Sequence, residues 1–446
     1  MKPLALSLLL GTSLTAAAVE KPNIIMIYID DMGYGDVGCY GGKYTPTPNI
    51  DKIAEDGVRF TQFYVAAPIS SASRTGITTG MYPCRWGITS FLHERSGNKT
   101  CEQNDYLNAQ APSLARALKT NGYATGHFGK WHMGGGRDVT DAPSIRSYGF
   151  DEYSSTWESP DPDKLLTASN WIWSNQDSIK RWNRTAYFVD KTLDFLKKNP
   201  HTPCYVNLWP DDVHTPWVPY EQVQNLNNTW EKPETFSPVL AELDKQIGRL
   251  LEGIKKLGIE ENTIIIFSSD NGPNPSFKNV RTANLRGQKA TLFEGGIRVP
   301  LIVKWPGHVK PGQTNEGSVM CTVDLFPSLC KITGTQLPTQ YKLDGEDMST
   351  TLFANNQNNR KNPLFWMFGK HLPIEKRMNS PYIAMRDGKW KLLVEGDGSH
   401  AMLFNLETDR NETDNLADKE KKITKKMSAK AITWFKKSFR EFADKK

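Results

Sequence analysis

Two acidic pairs give this chain its first chemical signal. Asp30-Asp31 follows the apolar run from Asn23 to Ile29, and Asp270-Asn271 follows the run Thr263-Ile264-Ile265-Ile266-Phe267. Short Ile-rich runs of this kind read as strands buried on both faces, as in parallel sheets covered by helices. In open α/β sheets ligands gather beyond the carboxyl ends of the strands, so both pairs are expected in one crevice. Three carboxylates and an amide oxygen make an all-oxygen donor set, suited to calcium or magnesium and not to zinc. One acidic pair after one strand is ordinarily a turn or a helix cap. Two pairs after two equivalent strands point to a metal, because three clustered carboxylates need a compensating cation.

A second group brings together a hydroxyl, cations and an imidazole. Ser70 lies four residues before Arg74, with Ser73 expected at the N-cap or first turn of a helix. Such a helix would aim backbone N–H groups at an incoming anion, beside the permanent charge of Arg74. A capped helix with a surface arginine is the plain alternative. Lys130 and His132 are two apart in a Gly-rich block, so on an extended segment both would face one side.

These groups need a frame. Cys204 to Trp209 reads as a third buried strand. Thr47 before Pro48 reads as a helix start with Ile50, Ile53 and Ala54 on one face and Gly57 as the stop. Ser113 caps a helix that Gly122 ends, and residues 237–258 carry apolar side chains at helical spacing. Strands alternating with helices predict an α/β fold. After about Leu352 the pattern changes to a polar tract, 355–359. An Asp387-Gly388 hairpin and a Lys-rich terminal helix follow.

The run Ser70-Ser71-Ala72-Ser73-Arg74-Thr75-Gly76, continuing to Thr79-Gly80, resembles the signature of the type I sulfatases, formylglycine-dependent members of the alkaline phosphatase superfamily. Gly129-Lys130-Trp131-His132-Met133-Gly134 resembles their Gly-Lys-Trp-His-Leu-Gly segment, with Met133 in place of Leu. His214-Thr215-Pro216 after Pro210 resembles their Pro-His-x-Pro loop, and Leu285 to Pro300 another long signature. Gly33 to Tyr40 belongs to the same resemblance, with Tyr34, Asp36 and Tyr40 in structural places. The matches run in family order from Asn23 to about Pro327. Ala72 stands where most members have Pro, a substitution the family pattern allows.

The resemblance implies a large mixed, mainly parallel sheet sandwiched by helices, with a smaller C-terminal α+β part carrying an antiparallel sheet. It also implies oxidation of Ser70 to formylglycine, whose hydrate attacks sulfur. One Ca2+ ion, with Mg2+ second, would be held by Asp30, Asp31, Ser70, Asp270 and Asn271. Arg74, Lys130 and Lys289 would neutralise sulfate, His214 would protonate the leaving oxygen, and His132 would take a proton from the hydrate. Glu294 and Arg298 would hold the loop. Ser in place of Cys implies maturation by an anaerobic radical maturase, before or during export, in a bacterium of oxygen-poor habitats. The implied substrates are O-sulfated sugars of host or algal glycans, of glycosaminoglycan or mucin type. Residues from Trp157 to Trp182, with His93, Arg137 and Asp138, are candidates for the sugar pocket.

Composition fits an exported globular enzyme. With 38% hydrophobic and 23% charged residues in 446, the chain can bury a sizeable core. The net charge of +6, from 55 basic and 49 acidic residues, reads as a mixed solvated surface and gives no sign of nucleic-acid binding. Lys2, an apolar stretch from Leu4 to Leu14 and Ala16-Ala17-Ala18 read as a signal peptide, 1–18, with no membrane span expected elsewhere. That leaves a catalytic domain, 19–354, and a C-terminal subdomain, 355–446, in a periplasmic or secreted bacterial protein. Six cysteines do not make a disulfide scaffold, although Cys84 and Cys101 are candidates for a bridge. Two other readings stay open: a phosphomonoesterase or phosphodiesterase using Ser70 directly, and a non-catalytic sulfated-glycan-binding relative. The first commonly needs two zinc ions, and 8 histidines, none adjacent in sequence to Asp30 or Asp270, supply few ligands.

Overall fold

The first apolar run forms strand β1 (Asn23–Ile29) at the middle of the main sheet. The computed structural model describes residues 21–444 except 170, 221–231, 278 and 355, so the expected signal segment lies outside the described residues. The other strands of the main sheet are β2 (Val58–Phe60), β4 (Ala124–Gly129), β5 (Glu152–Ser155), β6 (Cys204–Trp209), β7 (Thr263–Ser269), β8 (Leu301–Lys304) and β9 (Gln313–Asn315), with a short β3 (Phe63–Tyr64) pairing β10 (Met320–Cys321) outside it. Their order is β5-β4-β6-β1-β7-β8-β2-β9, and β8 alone runs antiparallel to its neighbours.

Alternate side chains of β1 enter two layers, as strand geometry requires. Ile25, Ile27 and Ile29 pack with the helices Pro48–Glu55, Arg184–Lys198 and Pro233–Lys256. Ile24, Met26 and Tyr28 pack with the helices Ser70–Thr79, Leu114–Thr120 and Leu325–Thr333. Each fully buried Ile stabilises the fold by about 1.5–3 kcal/mol relative to exposure. The α/β expectation therefore holds, down to helices on both faces.

Local details differ from the sequence reading in instructive ways. Ser113 does cap its helix, accepting from Arg116 N. Thr47 precedes its helix but does not cap it, because its hydroxyl accepts from Gly38 N and donates to Asp51 instead. The long helix starts at Pro233, four residues before the expected Ser237, using Pro at its first position. All six cysteines are free, so Cys84 and Cys101 do not bridge, and the Cys101 sulfur instead sits 3.4 Å from His371 Nε2.

A second, antiparallel sheet follows: β11 (Leu364–Met367), β12 (Ile383–Asp387), β13 (Trp390–Val394) and β14 (Met402–Asn405), in that order. Gly388 has φ +57° and makes the tight β12–β13 turn. The terminal helix Lys421–Ser438 lays Met427, Ala431 and Phe435 on this sheet, and Trp434 stacks on Phe365. No helix among the described residues is long and apolar enough to cross a membrane.

Candidate active site

Register brings the two acidic pairs together. β1 and β7 are parallel neighbours with Ile29 opposite Ser269, so Asp30 and Asp270 leave the sheet side by side. Asp31 adopts φ +58°, which Asp tolerates better than most residues, and its N–H donates to Asp270 Oδ1 at 3.1 Å. All three carboxylates are fully buried. Cations meet each one: Arg74 Nη2 lies 2.8 Å from Asp270, Lys130 Nζ 2.8 Å from Asp30 and Lys289 Nζ 2.8 Å from Asp31.

Ser70 opens the helix Ser70–Thr79 at the same place. Ile69, in extended conformation, precedes the first turn, so Ser70 occupies the helix N-terminus and Ser73 closes that turn. Ser73 does not cap; its hydroxyl pairs with Tyr28 at 2.9 Å and ties the helix to β1. Ser70 Oγ donates toward Asp30 Oδ1 at 3.0 Å, with Asn271 Oδ1 at 3.3 Å. Arg74, one turn on, is fully buried against the Tyr28 and Trp209 rings.

Lys130 and His132 do face one cavity, but not by strand alternation. β4 stops at Gly129, and His132 takes φ +50° with its N–H on Glu158 O. Glu158 organises this wall: its carboxylate lies 3.4 Å from Lys130 Nζ, 3.3 Å from His132 Nδ1 and 3.0 Å from Arg137 Nη2. His214 Nε2 stands 3.7 Å from Asp31.

Burial opposes every charge here, and the outcome depends on the neighbours. Despite burial, Lys130, His214 and Arg74 hold the Asp30 carboxyl well below its usual range. Burial, then repulsion from Asp30, pushes Asp270 up to about 7. Burial keeps His132 well below the ordinary histidine value, and lowers His214 with help from Lys289.

The cavity measures about 230 Å³ and is lined by Asp30, Ser70, Lys130, His132, His214 and Lys289, with Phe91, Arg137, Trp157, Glu158, Arg181 and Asp211 among its other walls. Of the expected sugar-pocket residues, Arg137 and, from the segment 157–182, Trp157, Glu158 and Arg181 line it. His93 packs on Phe91 with the rings tilted, Asp138 accepts from Arg95 N, and neither lines the cavity. Glu158 and Asp211 escaped individual notice in the sequence. The signal was available: each follows the carboxyl end of a main-sheet strand, β5 and β6. β5 is short and polar, which hides it from periodicity.

A hard cation fits this donor set. Asn271 Nδ2 is spent on Asp31 Oδ1 and Gly272 O, which turns its Oδ1 toward Ser70. The amide is thus oriented to offer oxygen beside the carboxylates, as calcium prefers. His214 adds one nitrogen within reach: ligand atoms of Asp30, Asp31 and His214 lie within 4.8 Å of one another. The histidine missing from the sequence neighbourhood is supplied by the fold.

A profile of the sulfatase family matches residues 22–335, which hold every site residue described in this subsection. The chain belongs to that family. As a sulfatase it is a sulfuric ester hydrolase. A second profile, of the N-sulphoglucosamine sulphohydrolase C-terminal region, matches residues 287–437. Among similar proteins, an N-acetylgalactosamine-6-O-sulfatase of Bacteroides thetaiotaomicron is 27% identical over 92% of each chain. Arylsulfatase A of Homo sapiens is 31% identical over 88% of this chain and 78% of its own. Among solved structures, Ps i-CgsB in complex with k-i-k-neocarrahexaose superposes with a TM-score of 0.75 at 26% identity, covering 96% of this chain and 94% of that one. A Bacteroides thetaiotaomicron protein described with metabolism of multiple glycosaminoglycans gives 0.76 at 25% identity, covering 92% and 98%.

Proposed function

We propose that this sulfatase removes sulfate from sugar residues of sulfated glycans, host or algal, with a nucleophile made from Ser70 and a calcium ion at Asp30, Asp31, Asp270 and Asn271. The observation that carries the reading is the convergence of Ser70, Lys130, His132, His214 and Lys289 on one cavity beside the buried carboxylates. Similarity to an N-acetylgalactosamine-6-O-sulfatase and to a neocarrahexaose-bound structure supports a glycan substrate. Formylglycine at position 70 supplies an aldehyde hydrate as nucleophile, and calcium draws charge from a sulfate oxygen.

The chain's own residues do the rest. Lys130 and Lys289 line the cavity with Ser70 and attract the sulfate oxygens, an electrostatic role whose loss typically costs about 3–4 kcal/mol. Arg74 is too enclosed to reach far into the cavity; it holds Asp270 and Asp30 in place. His214 gives its Nδ1 side to Thr215 O, so Nε2 exchanges the proton with the leaving oxygen. Glu158 lies 3.3 Å from Nδ1 of His132 and Leu92 O 3.4 Å from its Nε2, so the ring is held between two acceptors in the place from which it would take a proton from the hydrate. Maturation by a radical enzyme, export through the segment 1–18 and division into parts 19–354 and 355–446 complete the proposal.

Intact-mass analysis after co-expression with such a maturase should show two hydrogens lost at position 70. Ser70→Ala should abolish hydrolysis of sulfated sugars. Retained turnover in Ser70→Ala, or faster hydrolysis of a matched aryl phosphate than of the sulfate, sinks the reading.

A further inference from the structure

Four apolar side chains line the cavity that holds Ser70: Ile69, Phe91, Trp157 and Ile172. Two of them, Trp157 and Ile172, connect it to an indole outside. Trp171 precedes Ile172 in the chain, and its ring centroid lies 6.2 Å from that of Trp157, with the planes tilted by 47°. Trp157 is only 7% exposed, whereas Trp171 is 51% exposed and is the one exposed tryptophan among the described residues. Arg137 lies over the Trp157 ring, 4.8 Å from its centroid, and helps to fix the indole against which Trp171 leans. Single apolar residues scattered over a surface are ordinary. An indole that continues the lining of a cavity into solvent is not scattered.

We propose that Trp171 is a platform for the sugar next to the sulfated one, so that the substrate is an oligosaccharide or longer glycan and not a free sulfated monosaccharide. The inference rests on the sulfated-glycan reading above and adds how much of the chain the enzyme grips. At about 230 Å³ the cavity lies below the roughly 300 Å³ at which drug-sized ligand sites begin, so it takes one ring and leaves the next outside. A pyranose has a face of C–H groups and a rim of hydroxyls. Laid on an exposed indole, it covers apolar surface with its face and keeps its hydroxyls in water, which avoids the cost of burying them unpaired. A tryptophan has only two side-chain torsions, so holding it against a ligand loses little entropy. Contact with Trp157 restricts it already in the free protein.

The test gives the matured full chain pairs of sugars of chondroitin, heparin and carrageenan type. Each pair is a sulfated monosaccharide and the disaccharide that carries the same sulfated residue at its end. On whichever pair is cleaved, wild-type kcat/KM for the disaccharide should exceed that for the monosaccharide about tenfold or more, the return expected for covering part of a tryptophan side chain. In Trp171→Ala that ratio should fall to within about twofold of unity, and in Trp171→Tyr, which keeps a flat aromatic face, it should stay above about fivefold. A wild-type ratio near unity overturns the platform, as does a ratio that Trp171→Ala leaves unchanged. A ratio that falls as far in Trp171→Tyr as in Trp171→Ala overturns it too. Both are changes at an exposed position, which a fold tolerates, and a general defect lowers both sugars together without moving the ratio. Wild-type turnover of 4-nitrophenyl sulfate separates the levels. If it alone is cleaved, the platform and the glycan reading both fall while sulfate-ester hydrolysis stands. If nothing is cleaved, the chemistry proposed at Ser70 falls, and the platform that rests on it falls with it.

Discussion

Glu158 shows how much of this site depends on one residue that need not touch sulfur. It is buried, and three cationic or basic side chains share its two oxygens. Despite burial, His132, Lys130 and Arg137 hold its carboxyl far below the usual glutamate range, so it stays ionised throughout the working pH range. Glu158→Gln keeps the shape and removes the charge that orients His132 and restrains Lys130. We expect kcat to fall about 10- to 100-fold, the usual cost of losing an outer-shell partner, and by more than KM rises. Steady-state kinetics on a sulfated sugar checks this; an effect confined to KM would make Glu158 a substrate contact instead. The residues visible beforehand were those with a rigid offset from a strand end or a recognisable motif, such as Asp30, Asp270 and Lys130. Glu158 also follows a strand end, but β5 is short and polar and does not announce itself as a strand, so the offset could not be read until the fold was known.

Among elements, β4 carries a buried titratable side chain whose charge state is set by its neighbours. His127 projects into an aromatic box, edge-on to Trp131 and Trp209 and near Phe150. Burial, with the Arg74 charge adding, pushes its imidazole down to about 3. The folded chain therefore keeps His127 neutral while the unfolded chain takes up a proton below about 6.5. Its contribution to stability is complete above that pH and is lost progressively as pH falls toward 3. Per pH unit the loss is about 1.4 kcal/mol, hence about 2 kcal/mol near pH 5. His127→Phe should unfold with a shallower decline between about pH 7 and pH 5, whatever constant offset the larger ring imposes. Parallel urea titrations at both values decide, and equal declines would refute the assignment. Strands β1, β6 and β7 were legible because both faces are buried and the apolar run is unbroken. β2, β8 and β9 were not, since strands of three or four residues are too short to show a period. Helix starts failed where a hydroxyl had a tertiary partner to satisfy: Thr47 serves Gly38, and Ser73 serves Tyr28.

At the scale of the whole molecule, the C-terminal sheet is fastened to the site by buried charge. Lys391, on β13, places Nζ 2.9 Å from Glu294 and 2.9 Å from Glu412, all three fully buried. Glu294 also accepts from Tyr64 and pairs with Arg298, and its N–H donates to Glu412. Glu294 lies five residues after Lys289, so the cluster anchors the segment that presents a sulfate-facing lysine. Despite burial, Lys391 and then Arg298 bring Glu294 down to about 2, whereas burial pushes Glu412 up to about 7. Two carboxylates thus depend on one lysine. Lys391→Met preserves volume and leaves both without it, which should cost about 3–5 kcal/mol, as expected when one partner of a buried ion pair is removed. Adding Glu412→Gln should return part of that loss, because Arg298 still answers Glu294. Urea denaturation of the three proteins measures both effects. A loss below about 1 kcal/mol in Lys391→Met would mean the sheet is held by its apolar face alone, with Leu364, Trp366 and Phe404 in the core cluster sufficient to dock it.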